Sequence, residues 1–116
     1  MSVVPLESYA QLKAMLGSVG EKVWIAKTFS CDNGKNIYIG NNFTGNFNLT
    51  ILDIREVHIG DNVMIGPGTL ITTVGHPLSP MGRRKHLAFA KPVHIGNDDV
   101  PLVLFPKLLD GLVFPL

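Results

Sequence analysis

Charge and cysteine are both scarce in this chain. Of its 116 residues only 16% are charged, the net charge is +1, and Cys31 is the single cysteine. One thiol excludes an internal disulfide framework and suits a reducing compartment. A near-neutral chain without a broad basic face is a poor partner for nucleic acid, because phosphate binding needs clustered positive charge. Long apolar runs are missing too. The most apolar stretch, from Pro101 to Leu116, is short and broken by Pro106 and Pro115, so no bilayer span and no membrane partner are expected. No basic, apolar leader opens the chain, which points to the cytoplasm. A hydrophobic content of 46% excludes disorder, and the length suits one small domain.

Against this plain background stands a repeat. Gly20, Gly40 and Gly60 are spaced at twenty residues, each preceded by Val19, Ile39 or Ile59, and the pair returns as Ile95-Gly96. Within each twenty runs a beat of six: Val19, Ile25, Cys31; then Ile39, Gly45, Ile51; then Ile59, Ile65, Ile71. A fixed period with one small or apolar residue per hexad is the mark of a stacked coil. Three short extended segments and three corners close one triangular turn, and the marked residue of each hexad points inward. Val, Ile, Phe and Thr fill the extended positions, whereas Gly and Asn fill corners where positive φ costs little. The periodicity does not give the hand of the coil, and the general crossover rule favours a right-handed one.

The chain divides accordingly. Residues 1–18 read as a short N-terminal helical segment, with Leu6, Tyr9, Leu12, Met15 and Leu16 forming an apolar stripe that ends at Gly17. Residues 19–100 read as the coil, with a loop excursion over 75–92 where the beat stops. Loops that interrupt a regular scaffold commonly carry function. Residues 101–116 are a non-repeat tail, expected to pack as an irregular cap over the last coil, because open ladder edges and column ends need cover.

Several segments together carry a resemblance: Cys31-Asp32-Asn33-Gly34-Lys35-Asn36-Ile37, Asn46-Phe47-Asn48, Leu52-Asp53, Ile59-Gly60-Asp61-Asn62-Val63 and Gly75-His76-Pro77-Leu78. Over about residues 12 to 99 the chain resembles the hexapeptide-repeat sugar O-acetyltransferases, the maltose and galactoside acetyltransferase group. The resemblance implies a left-handed parallel β-helix, a homotrimer with active sites between subunits, and transfer of acetyl from acetyl-CoA, as co-substrate, to a sugar hydroxyl. His76 matches the family's catalytic base, since a neutral imidazole is suited to removing a hydroxyl proton near neutral pH. Asn46 matches its acceptor-contacting asparagine, whose amide both donates and accepts. Asp32 and Asp53 fall beside the acceptor and are expected to bind substrate, although either carboxylate would also suit a capping role. Where galactoside enzymes carry a second Asp after Asp53, this chain has Ile54, which leaves the acceptor sugar open. Arg83, Arg84 and Lys85 read as a solvated loop rather than a phosphate site.

The chain also departs from the family, which carries a longer N-terminal helical segment. Beyond Ile95-Gly96 the family continues with further coils that line the pantetheine channel and a basic segment that holds the CoA phosphates. Nothing after Val100 repeats that pattern, so the sequence reads as truncated at both ends. Acetyl-CoA is therefore expected to bind weakly, with transfer impaired, and the alternative is a non-catalytic remnant that acts only as a folded oligomer. A zinc carbonic anhydrase on the same coil would need three His ligands around an open position. His58 and His94 read as solvated outer positions, and His86 has no assigned role. With the four histidines read on unlike faces and without a paired spacing, no metal is expected.

Overall fold

The computed structural model describes residues 2–4, 9–75, 89–98, 107–109 and 112–114. The chain opens with β1 (Ser2–Val4) and α1 (Tyr9–Met15), then lays down β2 (Ser18–Val19), β3 (Val23–Ile25) and β4 (Phe29–Cys31). The next coil is β5 (Ile37–Ile39), β6 (Phe43–Gly45) and β7 (Thr50–Leu52). The third is β8 (Val57–Ile59), β9 (Val63–Ile65) and β10 (Leu70–Thr72). After β11 (Val74–Gly75) and β12 (Phe89–Ala90), β13 (Val93–Ile95) resumes the repeat, and β14 (Lys107–Leu109) and β15 (Leu112–Phe114) follow.

Strands three apart in this order stack in parallel through β10, and β13 then stacks on β8, giving a three-faced prism. The first face is β4-β7-β10, the second β2-β5-β8-β13 and the third β3-β6-β9. The register is the one the twenty-residue period dictates. Cys31, Ile51 and Ile71 align on the first face, Val19, Ile39, Ile59 and Ile95 on the second, and Ile25, Gly45 and Ile65 on the third. All of these except Val19, Gly45 and Ile95 belong to the fully buried apolar core, and Val19 and Ile95 pack against it. A second inward set, Ile37, Val57 and Val93 with Phe43, Val63, Phe29 and Leu49, packs with them.

The corners explain why Asn and Gly recur. Lys22, Asn42, Asn62 and Asp98 all adopt positive φ at the corner leaving the second face, and Thr28, Asn48 and Gly68 do so at the corner leaving the third. Asn tolerates this left-handed backbone better than most residues. The same side chains link the coils. Asn42 donates to Asn62 (2.9 Å) and Asn62 to Asp98 (3.0 Å), while Asn41 and Asp61 accept from the backbone of Glu21 and Asn41. Gly40 is required for a different reason: a Cβ there would lie 2.7 Å from the Gly60 carbonyl oxygen of the next coil.

At the N-terminal end, α1 buries Leu12, and Leu16 just beyond it is also buried. The Lys35 amine donates to the Ala14 carbonyl at the end of the helix, satisfying one of the carbonyls a helix terminus leaves open. Three findings differ from the sequence reading. First, β1 pairs antiparallel with β4, a strand that the helical stripe gave no hint of. Second, the tail contains an antiparallel pair, β14 with β15, where irregular chain was expected. The sequence signal was Asp110-Gly111 between apolar residues, a strong hairpin cue.

Third, His58 and His94 share a face. His94 pairs with His58 and His58 with Tyr38 in the parallel register of the second face, so the expectation of unlike faces is corrected. The two histidines are separated by one coil plus the excursion, and the matching runs Val57-His58-Ile59-Gly60 and Val93-His94-Ile95-Gly96 carry the register across it. Both are exposed, as outer positions should be.

Candidate active site

The corner between the first and second faces is organised by one carboxylate. Asp53 is 0% exposed. Its Oδ1 accepts the backbone N–H groups of Asp32 (3.1 Å) and Asn33 (2.9 Å), and its Oδ2 accepts that of Asn36 (3.2 Å). The amide side chains of Asn33 and Asn36 return the contact by donating to the Asp53 carbonyl oxygen at 3.0 and 2.9 Å. Asp53 thus holds the 32–36 loop of the coil below through backbone groups that would otherwise be left unpaired. Asn33 and Asn36 were not singled out from sequence, although Asn33 lies one full period before Asp53. Gly34 sits in this loop at φ 82°, where a Cβ would meet the Met15 carbonyl oxygen at 2.7 Å.

Above Asp53 the corner continues through Thr73, also 0% exposed. Its Oγ1 donates to the Leu52 carbonyl (2.8 Å) and accepts from the Arg55 backbone N–H (3.1 Å). The excursion leaves from this level. Val74 and Gly75 pair antiparallel with Ala90 and Phe89, and the Lys91 N–H donates to the Thr73 carbonyl, closing the neck of the loop. His76, the next residue in the chain, lies outside the described residues, as do His86 and the run Arg83, Arg84 and Lys85.

Asp32 is half-buried at this corner, directly after the buried Cys31. Burial, together with the nearby Asp53 and Asp32 carboxylates, pushes the Cys31 thiol up to about 11, so at neutral pH it is neutral and a poor nucleophile.

Asn46 stands elsewhere. It lies at the corner between the third and first faces, half-buried, where its side-chain amide donates to the Ile65 carbonyl (2.8 Å). The first face separates it from the other group: Leu49 to Asp53 is four residues of extended chain, about 13 Å at roughly 3.3 Å per residue. Within one chain, then, Asp32 and Asp53 come together and Asn46 does not join them. No three metal-ligating side chains converge among the described residues.

A left-handed hexapeptide coil of this kind has close counterparts. The chain is 41% identical to galactoside O-acetyltransferase of Escherichia coli (strain K12) over 87 residues, covering 75% of this chain and 43% of that protein. The structure of a galactoside acetyltransferase in complex with coenzyme A superposes with a TM-score of 0.72 at 40% identity, covering 78% of this chain and 46% of that one. A hexapeptide-repeat-containing acetyltransferase from Vibrio cholerae gives a TM-score of 0.71 at 35% identity, covering 79% of this chain and 52% of its own. The chain belongs to the hexapeptide-repeat acetyltransferases. It spans about half the length of these family members. No family model matches it. The left-handed parallel β-helix is the architecture of that family, and the twenty-residue coil seen here is its unit.

Proposed function

We propose that this chain serves acetyl transfer from acetyl-CoA to a sugar hydroxyl, at a site formed between neighbouring copies of a homotrimer. The observation that carries the reading is the separation of the acceptor-type groups. Asn46 and the Asp32/Asp53 corner stand at opposite ends of one face, too far apart for a single hydroxyl to touch both. A rotational assembly brings one copy's corner against the next copy's other corner, and a shared site follows.

In this mechanism His76 is the general base. Its neutral imidazole accepts the proton of the sugar hydroxyl as the oxygen attacks the thioester carbonyl. The C–O bond forms, the tetrahedral adduct collapses with cleavage of the C–S bond, and the imidazolium returns the proton to the departing thiolate. Chain continuity ties His76 to Gly75, at the neck that closes above Thr73 and Asp53. Asp32 and Asn46 hydrogen-bond acceptor hydroxyls from the two copies. Asp53 is a positioning residue in this scheme, because its oxygens are engaged by the amides of the 32–36 loop.

Mixed oligomers test the shared site. His76→Ala and Asn46→Ala are each expected to lose most transfer activity, by about 10² or more for the base. Refolded together in equal amounts, a quarter of the sites combine an intact His76 with an intact Asn46 from the neighbour, so about a quarter of wild-type activity returns. No recovery in verified mixed oligomers would place both residues in one chain. A wild-type chain that assembles yet transfers acetyl to no sugar would favour the non-catalytic reading instead.

A further inference from the structure

On the second face, the outward side chains of three stacked strands form one column: Tyr38, His58 and His94. The Tyr38 and His58 rings stack with centroids 4.7 Å apart at 11°, and the His58 and His94 rings at 4.9 Å and 5°. Both imidazoles are exposed, and neither takes part in the scheme above. From this geometry we infer that the His58–His94 pair is a surface chelate for a late first-row divalent ion, with copper(II) held most tightly.

Three features argue for it. Imidazole nitrogen is a preferred donor for copper, nickel and zinc, and affinity rises along that row to copper. The two rings hang from residues in direct register on hydrogen-bonded parallel strands, so their Cα atoms sit at the spacing of adjacent strands, about 4.8 Å. A rigid ladder therefore presents both donors together, and once one nitrogen binds, the second binds as an intramolecular ligand. Bond lengths of roughly 2.0–2.1 Å to each nitrogen require the rings to turn out of their stack until their nitrogens converge. Exposed side chains rotate readily, and only the stacking contact is given up. Two protein donors leave the remaining positions to water, in keeping with the lack of a three-residue cluster among the described residues.

Titration of the full chain with copper(II) in a non-coordinating buffer at neutral pH tests the inference. The expected result is one equivalent bound in the micromolar range or tighter, with an electron paramagnetic resonance spectrum showing two imidazole nitrogens. His58→Phe and His94→Phe preserve a ring in the stack and remove the donor, so the fold is retained as read by circular dichroism. Each is expected to weaken binding by about tenfold or more, and the double variant to bind no better than the worse single one. Binding unchanged in both single variants would overturn the inference, because the ion would then be held by other groups. So would a wild-type spectrum with fewer than two coordinated imidazoles, or the absence of binding at about 100 μM copper.

Discussion

Removing the Asp53 carboxylate should cost more stability than any other single polar change in the described coil. Asp53→Ala deprives three backbone N–H groups, those of Asp32, Asn33 and Asn36, of acceptors at 3.1, 2.9 and 3.2 Å. An unpaired buried donor costs about 1–3 kcal/mol. The Asn33 side is exposed, so water relieves part of the loss, and a net destabilisation of about 3–5 kcal/mol is expected. Asp53→Asn is the sharper probe. Its carbonyl still serves Asp32 and Asn33, but its NH₂ group faces the Asn36 N–H, donor against donor. That variant should lose about 2 kcal/mol, less than the alanine. Urea denaturation at fixed protein concentration, followed by far-ultraviolet circular dichroism, measures both. Trp24 is a poor reporter for this purpose, being already 54% exposed in the fold. A loss below about 1 kcal/mol for Asp53→Ala, or a larger loss for Asn than for Ala, would refute the assignment of Asp53 as the organiser of the corner.

Further outcomes follow from other residues. The Cys31 thiol ionises at about 11 in the fold and near 9.0 when unfolded. Between those values the unfolded chain has lost a proton that the folded chain keeps. Stability is therefore full below pH 9 and falls as pH rises toward 11, by up to roughly 1.4 kcal/mol per unit; Cys31→Ala should flatten that slope in pH-resolved denaturation. Gly40→Ala sets a Cβ against the Gly60 carbonyl of the next coil, and Gly45→Ala sets one 2.9 Å from the Leu49 Cδ2. Because backbone yields less than a side-chain end, Gly40→Ala should lower the thermal midpoint more, each change costing about 1–3 kcal/mol. Asn46→Ala removes one half-buried bond to the Ile65 carbonyl and should cost only about 1 kcal/mol in stability. Its effect on transfer, measured as kcat/KM, should be far larger if it contacts the acceptor.

The sequence by itself determined the coil. One apolar or small residue every six positions and a return every twenty are enough to align Cys31 with Ile51 and Ile71, or Ile39 with Ile59, because each coil repeats the geometry of the last. Corners were legible for the same reason: Asn42 and Asn62 recur at positive φ one period apart. His58 and His94 share a face that the matching runs Val57-His58-Ile59-Gly60 and Val93-His94-Ile95-Gly96 already marked across the excursion, and only the structure shows their rings stacked. What lacks a period was not legible. The antiparallel pairing of β1 with β4 is a contact between distant segments. The roles within the candidate site depended most on tertiary structure. Asp32, Asn46 and Asp53 are all polar residues near corners in the sequence. The six-residue beat already sets one face between Asn46 and Asp53, whereas only the packed chain shows that Asp53 accepts from three backbone amides of the coil below. Hydrogen-bond satisfaction of this kind belongs to the stacked coils, because the acceptor at Asp53 and the donors at Asp32, Asn33 and Asn36 lie about one period apart.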